Sequence, residues 1–326
     1  MGGKRLINIV WLVFTLGCIT SCQRDEPVAD EEVTISFRLM LNNEGWGDNQ
    51  REDDGHILSD RYSRGMLRSV MYDSFACWAG FYEADEPWSN HSQMNLMYHR
   101  EIKKAELYDT HAYWPGVGKK VRFFAYAPYA LSALVLPEHV AGNPRLVYTV
   151  PMEIAAQKDL LIAWTGEYSG SYGQSVDLKF RHALTAIRFI DRGLPEGVVT
   201  SITLEGVYSK ACLTIGDDLS EIWSGREAKC DFTVWLNYRT SSTSESETVI
   251  NPLGECFLMI PQVMENSARL ILRMRSDDGK EMEYATPLKG TADWEMGKVT
   301  SYRLRINNGV LVVVESLADW QDGGSL

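Results

Sequence analysis

Polar and apolar residues alternate along the first patterned stretch of the chain, residues 33–41. The even positions are mainly polar, whereas every odd position is apolar, namely Val33, Ile35, Phe37, Leu39 and Leu41. Successive side chains of a β-strand point to opposite faces, so this period of two indicates a strand with one buried face. The stretch therefore predicts the first strand of a folded domain.

Short runs rich in aromatic and β-branched residues recur along the rest of the chain, separated by turn residues. No amphipathic stretch is long enough for a crossover helix, so we predict antiparallel sheets. Many short strands at close intervals are typical of all-β sandwiches. The predicted strands cover residues 74–82, 105–114, 120–129, 146–150, 160–165, 201–208, 211–215, 229–236, 255–260, 268–275, 281–285 and 300–307.

A stretch rich in Gly, Ser and Tyr, residues 166–175, has the composition of a linker. We therefore predict two antiparallel β-sandwich domains in tandem, over residues 33–170 and 171–326. Beyond this stretch the apolar alternation changes phase between Phe180 and Ile187. A change of phase by one residue requires a bulge or a bend of the strand.

The last patterned run of the chain, Val310, Leu311, Val312, Val313 and Val314, is apolar at every position. A strand with one solvated face would alternate, so we expect this strand to be buried on both faces or covered by a partner.

The first residues have the pattern of a lipoprotein signal peptide, residues 1–21. Lys4 and Arg5 precede an apolar run that is too short for a permanent membrane anchor. The run ends in small residues before Cys22, which we predict to be lipidated; Cys18 is a second candidate. Residues 22–32 form an acidic tether, and lipid is the expected attachment to the outer membrane.

The formal net charge is −12, and removal of residues 1–21 takes away Lys4 and Arg5 but no acidic residue. Nucleic acids and anionic lipid surfaces require a basic footprint, so we expect no nucleic-acid partner.

Residues 42–69 form a long polar loop with three candidate sites for proteolysis: Arg61, Arg64 and Arg68. Most tryptophans are expected in the cores. Trp46 and Trp88 lie in the least strand-like sequence and are the best candidates for binding a glycan.

Motifs for catalysis, metal ions or cofactors are not found in the sequence, so we expect a protein without enzymatic activity. Cys77, Cys212, Cys230 and Cys256 lack metal-ligand spacing. Buried free thiols are favoured for them, although one or two disulfides stay possible. His182 interrupts an apolar strand and is interpreted as a structural histidine.

Several segments resemble, in the same order, those of the fimbrillin family, the lipoprotein precursors of type V pili in Bacteroidales. They are residues 113–116, 121–129, 159–161, 178–184, 258–262, 294–298 and 320–323, and they span nearly all of the chain after Cys22. The resemblance implies transthyretin-like β-sandwiches and a structural subunit of a cell-surface fimbrium that supports adhesion.

The resemblance also implies an assembly route. An Arg-specific surface protease would cut after Arg64, or alternatively after Arg61 or Arg68, and release residues 33–41. A strand of a neighbouring pilin subunit would fill the groove by β-strand addition. Residues 310–314 would be this chain's donor strand. Alternatively, the protein is an uncleaved surface lipoprotein or a pilus-tip adhesin that binds a glycan or a host protein through exposed aromatic residues.

Overall fold

The computed structural model describes residues 33–41, 74–87, 100–129, 131–135, 144–215, 220–240, 247–251 and 256–320. These residues form strands and two short 3-10 turns, Lys104–Glu106 and Ile154–Ala156, which confirms the predicted all-β class. The strands are β1 (Thr34–Leu41), β2 (Ser74–Glu83), β3 (Arg100–Lys103), β4 (Asp109–Tyr113), β5 (Lys119–Ala127), β6 (Leu134–Val135), β7 (Arg145–Thr149), β8 (Leu161–Trp164), β9 (Tyr168–Ser169), β10 (Val176–His182), β11 (Thr185–Asp191), β12 (Val198–Ile215), β13 (Glu221–Arg239), β14 (Thr248–Val249), β15 (Phe257–Met259), β16 (Arg269–Arg275), β17 (Glu281–Pro287), β18 (Lys298–Asn307) and β19 (Val310–Asp319).

The first sheet has the strand order β3-β2-β5-β8-β10-β1-β4, with β9 paired to β5. Its central strands are buried on both faces, because Phe123 and Phe124 of β5 belong to different hydrophobic clusters. One cluster is specific to this sheet and contains Ile35, Phe37 and Phe180.

Two further sheets share the other cluster. One has the order β14-β11-β18-β19, with β15 paired to β11, and the other has the order β17-β16-β12-β7-β6, with β13 paired to β12. Phe189 and Tyr302 from the former pack with Leu204 and Leu272 from the latter. Trp78 and Phe124 of the first sheet join the same cluster, so the three sheets are packed together.

Purely antiparallel sheets were the wrong prediction. Strand β1 pairs in parallel with β10, and β11 pairs in parallel with β18. A parallel pair requires a long connection rather than a helix as such. Here the intervening strands provide that connection.

The predicted change of phase marks the point where the chain passes from one sheet to another. Phe180 of β10 is buried in the cluster of the first sheet, whereas Ile187 of β11 is buried in the cluster of the other two sheets. Only Ala183 and Leu184 separate the two strands. The predicted bend is therefore a strand corner.

The predicted linker, residues 166–175, is part of the first sheet. It contains β9, and the Tyr168 and Tyr172 rings pack with centroids 4.8 Å apart. Two strand pairs join the parts of the chain before and after residue 170. Strand β1 pairs with β10, and β7 pairs with β12. The division into two transthyretin-like domains at this residue stays a prediction.

The chain described here ends in a hairpin of β18 and β19 joined by Asn308 and Gly309. Both turn residues have positive φ, at 50° and 77°. This left-handed pair suits the twist of a two-residue hairpin and is favoured by Asn-Gly. Strand β19 thereby becomes the edge of its sheet.

Candidate functional site: a strand-binding groove

Strand β1 lies inside the first sheet with a neighbour on each side. Its register with β10 is parallel and places Phe37 opposite Val176 and Leu39 opposite Leu178. On the other side it runs antiparallel to β4, where Ser36 is opposite Asp109. All other strands of this sheet lie from Ser74 onward in the sequence, so β1 occupies a groove built by the later chain.

The β4 side of the groove holds β1 mainly through its backbone. The hydroxyl of Thr110, which is fully buried, donates to the Ile35 carbonyl oxygen at 2.7 Å. The Phe37 amide donates to the Tyr108 carbonyl oxygen at 3.3 Å. The hydroxyl of Thr34 donates to an Asp109 carboxylate oxygen at 2.9 Å. The first two of these bonds involve only the backbone of β1, so they accept many sequences, as β-strand addition requires.

The floor of the groove is aromatic. Ile35 and Phe37 of β1 are buried, and the Phe37 ring meets Phe75 and Phe123 edge to face, with centroids 5.8 Å and 5.4 Å away. Val33 and Leu39 are less buried, and Leu41 ends the strand. The alternation of polar and apolar residues over 33–41 therefore correctly predicted strand β1. The removal of β1 during assembly stays a prediction.

The segment that leads into β4 is strained. Leu107, Tyr108 and His111 all have positive φ, between 53° and 57°. Non-glycine residues in such regions cost on the order of 1–3 kcal/mol each and persist only where surrounding contacts hold them. The Leu107 and Tyr108 amides donate to the carbonyl oxygens of Lys104 and Lys103, at 2.9 Å and 3.0 Å, and β4 pairs with β1, so both the preceding turn and β1 hold this conformation.

A charge cluster lies on the same sheet. The Glu167 carboxylate accepts hydrogen bonds from Lys120 at 2.8 Å, from the Tyr82 hydroxyl and from Arg122 at 3.2 Å. The hydrogen bond from Lys120, followed by that from Tyr82, lowers the pKa of Glu167 to about 2. Burial, followed by the hydrogen bond to Glu167, raises the pKa of Tyr82 to about 12. The cluster ties Glu167, which precedes β9, to β2 and β5.

The candidate donor strand, residues 310–314, is the first half of β19. It is hydrogen bonded along one edge to β18, and β17 of the facing sheet lies alongside it. Leu311 is buried, but Val310 and Val314 are 60% and 46% exposed. The expectation that this strand is buried on both faces within its own chain was therefore wrong. The alternative, that a partner covers the exposed face, stays a prediction.

Four of the segments that carry the family resemblance meet where β19 ends. The His182 imidazole Nδ1 is hydrogen bonded to the Asp159 carboxylate, and both side chains are buried. The Trp320 ring stacks on the imidazole with centroids 4.0 Å apart, and its amide donates to the Gly297 carbonyl oxygen at 2.9 Å. His182 thus has the predicted structural role. The sequence did not indicate that these segments are neighbours.

Several predicted site residues lie outside the described residues. They are Cys22, Trp46, Arg61, Arg64, Arg68 and Trp88. In contrast, sequence reasoning missed Trp235 on β13, which is 75% exposed. Its position at an outward-facing place of a strand, between Val234 and Leu236, was the available signal.

The four described cysteines are free thiols, and burial raises the pKa of Cys256 to about 12, which makes it a weak nucleophile. Within the described ranges, His, Cys, Asp and Glu form no group of three suited to a metal ion. In that same part of the chain no helix has the length and hydrophobicity to cross a membrane.

The described residues define an all-β protein whose first described strand lies inside a sheet and whose last strand lies at a sheet edge. Residues 83–320 match the sequence profile of the family described as fimbrillin-like. The match covers more than half of the chain, so the protein belongs to the fimbrillin-like family, which consists of structural fimbrial proteins rather than enzymes.

Solved structures resemble the chain at low sequence identity. A Bacteroides ovatus protein assigned to cell adhesion has a TM-score of 0.55 at 14% identity, covering 89% of this chain and 98% of its own. A Bacteroides uniformis protein with the same assignment has a TM-score of 0.46 at 13% identity, covering 79% and 95%. The fimbrial anchor protein Mfa2 from Porphyromonas gingivalis has a TM-score of 0.37 at 11% identity, covering 88% and 97%. No curated protein sequence matches significantly. The first of these structures supports the fold.

Proposed function

We propose that the protein is a fimbrial subunit that assembles by exchanging β1 for a strand of a neighbouring subunit. The observation that supports this proposal is the position of β1, which is the first described strand and yet lies between β10 and β4. A single cut between residues 42 and 73 would free β1 without breaking any connection among the strands that form the groove.

Replacement of β1 by another strand is energetically more favourable than a departure of β1 that leaves the groove empty. Ile35 and Phe37 are both buried, and burial of two large apolar side chains stabilises the protein by about 3–6 kcal/mol. Departure of β1 also leaves polar backbone groups of β10 and β4 without strand partners. An empty groove is therefore unstable, and a replacement strand restores both contributions.

Export and processing complete the proposed route. The precursor is a lipoprotein attached to the outer membrane through Cys22, and an Arg-specific surface protease cuts it after Arg64, or after Arg61 or Arg68. The cut separates the lipid from the subunit together with β1. The lipid thus delivers the precursor to the cell surface, and its removal starts assembly into the fimbrium.

Strand β19 is the proposed donor. It is an edge strand, it ends the described chain, and its exposed Val310 and Val314 lie two register steps apart on one face. An edge strand with apolar exposed residues is prone to pair with another chain. As a donor, it would place this apolar row in the groove of a neighbouring subunit.

The test is limited cleavage of the purified precursor by an Arg-specific protease. We expect one cut in residues 42–73, mapped by mass spectrometry, followed by oligomers with other fimbrial subunits that resist mild denaturant. Arg64→Ala should prevent or displace the cut, with Arg61→Ala and Arg68→Ala as matched variants. Deletion of residues 310–326 should abolish donation while β1 stays in place. A cleaved chain that stays monomeric with every subunit would contradict the proposal.

A second candidate function is that of an adhesin. Trp235 presents its indole from β13, and a flat exposed aromatic ring suits stacking on a sugar ring. Glycan-array binding that Trp235→Ala abolishes, with an uncut precursor, would favour this function over assembly.

A further inference from the structure

We infer that the groove selects a donor strand with an aromatic side chain at the position of Phe37, so that the incoming subunit differs from this chain. The inference rests on the proposed strand exchange. It concerns which strand the groove accepts, and it starts from the shape of the pocket that Phe37 occupies.

The walls of this pocket do not belong to β1. Phe75 comes from β2 and Phe123 from β5, and both rings present themselves to Phe37 at steep angles, 69° and 86°. Phe75 is itself packed on Phe180 of β10, with ring centroids 5.5 Å apart. Both wall residues are buried, so their positions are set by the rest of the sheet.

An edge-to-face contact forms only between two aromatic rings, so the contacts with Phe75 and Phe123 both require a ring at the position of Phe37. An aliphatic side chain makes neither aromatic contact and leaves part of the pocket empty, which destabilises a packed core in addition to the lost burial. The adjacent positions differ in this respect. Ile35 is fully buried within the same apolar cluster, and Leu39 packs at its border, so aliphatic side chains suit both. The groove thus fits an aliphatic, an aromatic and an aliphatic residue at two-residue spacing.

Strand β19 of a second copy does not carry this pattern. One face presents Val310, Val312 and Val314, which places a valine in the aromatic pocket whichever way the strand runs. The other face contains Glu315 between Val313 and Leu317. This face places in the pocket either an aliphatic side chain, from Leu311, Val313 or Leu317, or that of Glu315, whose carboxylate would be buried among phenyl rings without a partner, which is strongly unfavourable.

Neither face of β19 therefore matches the groove of its own chain. The groove accepts a strand from a different subunit that carries an aromatic residue, and β19 enters a groove whose central pocket is smaller. Assembly between unlike subunits is the consequence, and chains of identical copies are disfavoured by the shape of one pocket.

The experiment uses the full chain with a recognition sequence for a site-specific protease inserted after Arg64. After the cut, fluorescently labelled peptides compete with the resident β1. The first peptide has the sequence of residues 33–41. Two variants carry Phe37→Val or Arg38→Ala, and a further peptide has the sequence of residues 310–318. Arg38 is the matched control, because its side chain is largely exposed, is not part of the apolar cluster around Phe37, and contacts the groove only through an exposed ion pair with Asp177, which contributes little to affinity.

We expect the native and Arg38→Ala peptides to bind equally within about fivefold, since the exposed ion pair of Arg38 is worth at most about 1 kcal/mol. The Phe37→Val peptide and the β19 peptide should bind at least about tenfold more weakly. Equal binding of either of these two would overturn the inferred selectivity and leave strand exchange intact. Failure of the native peptide to enter the cut chain would overturn strand exchange and the selectivity with it.

Discussion

The indole of Trp320 lies parallel to the imidazole of His182, with an interplanar angle of 0° and the ring centroids 4.0 Å apart. One residue follows the last position of β19, and the other ends β10 in a different sheet. The stacked pair therefore ties the end of the candidate donor strand to the body of the protein. This contact opposes the release of β19 from its own subunit.

Replacement of Trp320 by alanine should loosen the end of β19. The ring also packs against the small cluster of Ala186, Cys256 and Val299. Because Trp320 is only partly buried, we expect a loss of about 1–3 kcal/mol, below that of a core tryptophan. Urea denaturation measures the loss of stability. Hydrogen exchange should become faster in β19 of the variant than in β19 of the native protein, and should change less in β16. Trp235→Ala is the matched control and should change stability by less than about 0.5 kcal/mol. Unchanged exchange in β19 would contradict the proposed tie.

The buried pair beneath this stack should behave as a unit. His182→Ala leaves the Asp159 carboxylate buried without its partner, for which we expect a loss of about 3–5 kcal/mol. Asp159→Ala should cost less than the removal of His182, and the double variant should cost clearly less than the sum of both. Urea denaturation of the four proteins measures the coupling. Lys179→Ala, at an exposed position of β10, is the control. Additive losses would show that the two side chains act independently.

The hydroxyl of Thr110 should hold β1 in its groove. Thr110→Val keeps the shape of the side chain but removes the hydrogen bond to the Ile35 carbonyl oxygen, together with the one that the hydroxyl accepts from the Ala112 amide at 3.1 Å within β4. We expect the intact protein to lose about 1 kcal/mol. When both proteins are cut between residues 42 and 73, β1 should dissociate about fivefold faster from the variant than from the native protein. A label on the first residue of β1 measures this dissociation. Thr110→Ser retains the hydroxyl and should release β1 at nearly the native rate. Equal rates for the valine variant and the native protein would exclude this role.

Stability should depend on pH through Glu167. Its pKa in the folded protein is about 2, below the ordinary value of about 4.3 expected for the unfolded chain. A lowered pKa in the folded state stabilises the protein fully above the unfolded value, and this contribution is lost as the pH falls from about 4 towards 2. Glu167→Gln should weaken this acid dependence, measured by thermal unfolding between those pH values. Glu281→Gln, which removes an exposed carboxylate from β17, should leave it as in the native protein. The same acid dependence in both variants would assign the effect to other groups.

The local pattern predicted the strands well and their neighbours poorly. Alternation placed β1 over nearly the observed residues, and the change of phase after Phe180 marked a real corner between sheets. In contrast, the sequence divided β12 into two strands at Ser209 and Lys210. The structure continues through these two residues, because Lys210 pairs with Thr149 of β7 on one side and with Glu227 of β13 on the other. These pairings depend on residues far away in sequence and leave no local signal.

The sequence by itself determined the all-β class, the strand at residues 33–41 with its apolar row, and the apolar terminal run. These features follow from alternation and composition, which act between residues next to one another. Only the tertiary structure decided that β1 lies inside a sheet, that its Phe37 fits between Phe75 and Phe123, and that Trp320 reaches His182. Those contacts join residues tens to hundreds of positions apart, and the pairing of distant strands is set by the packing of the whole core rather than by any local pattern.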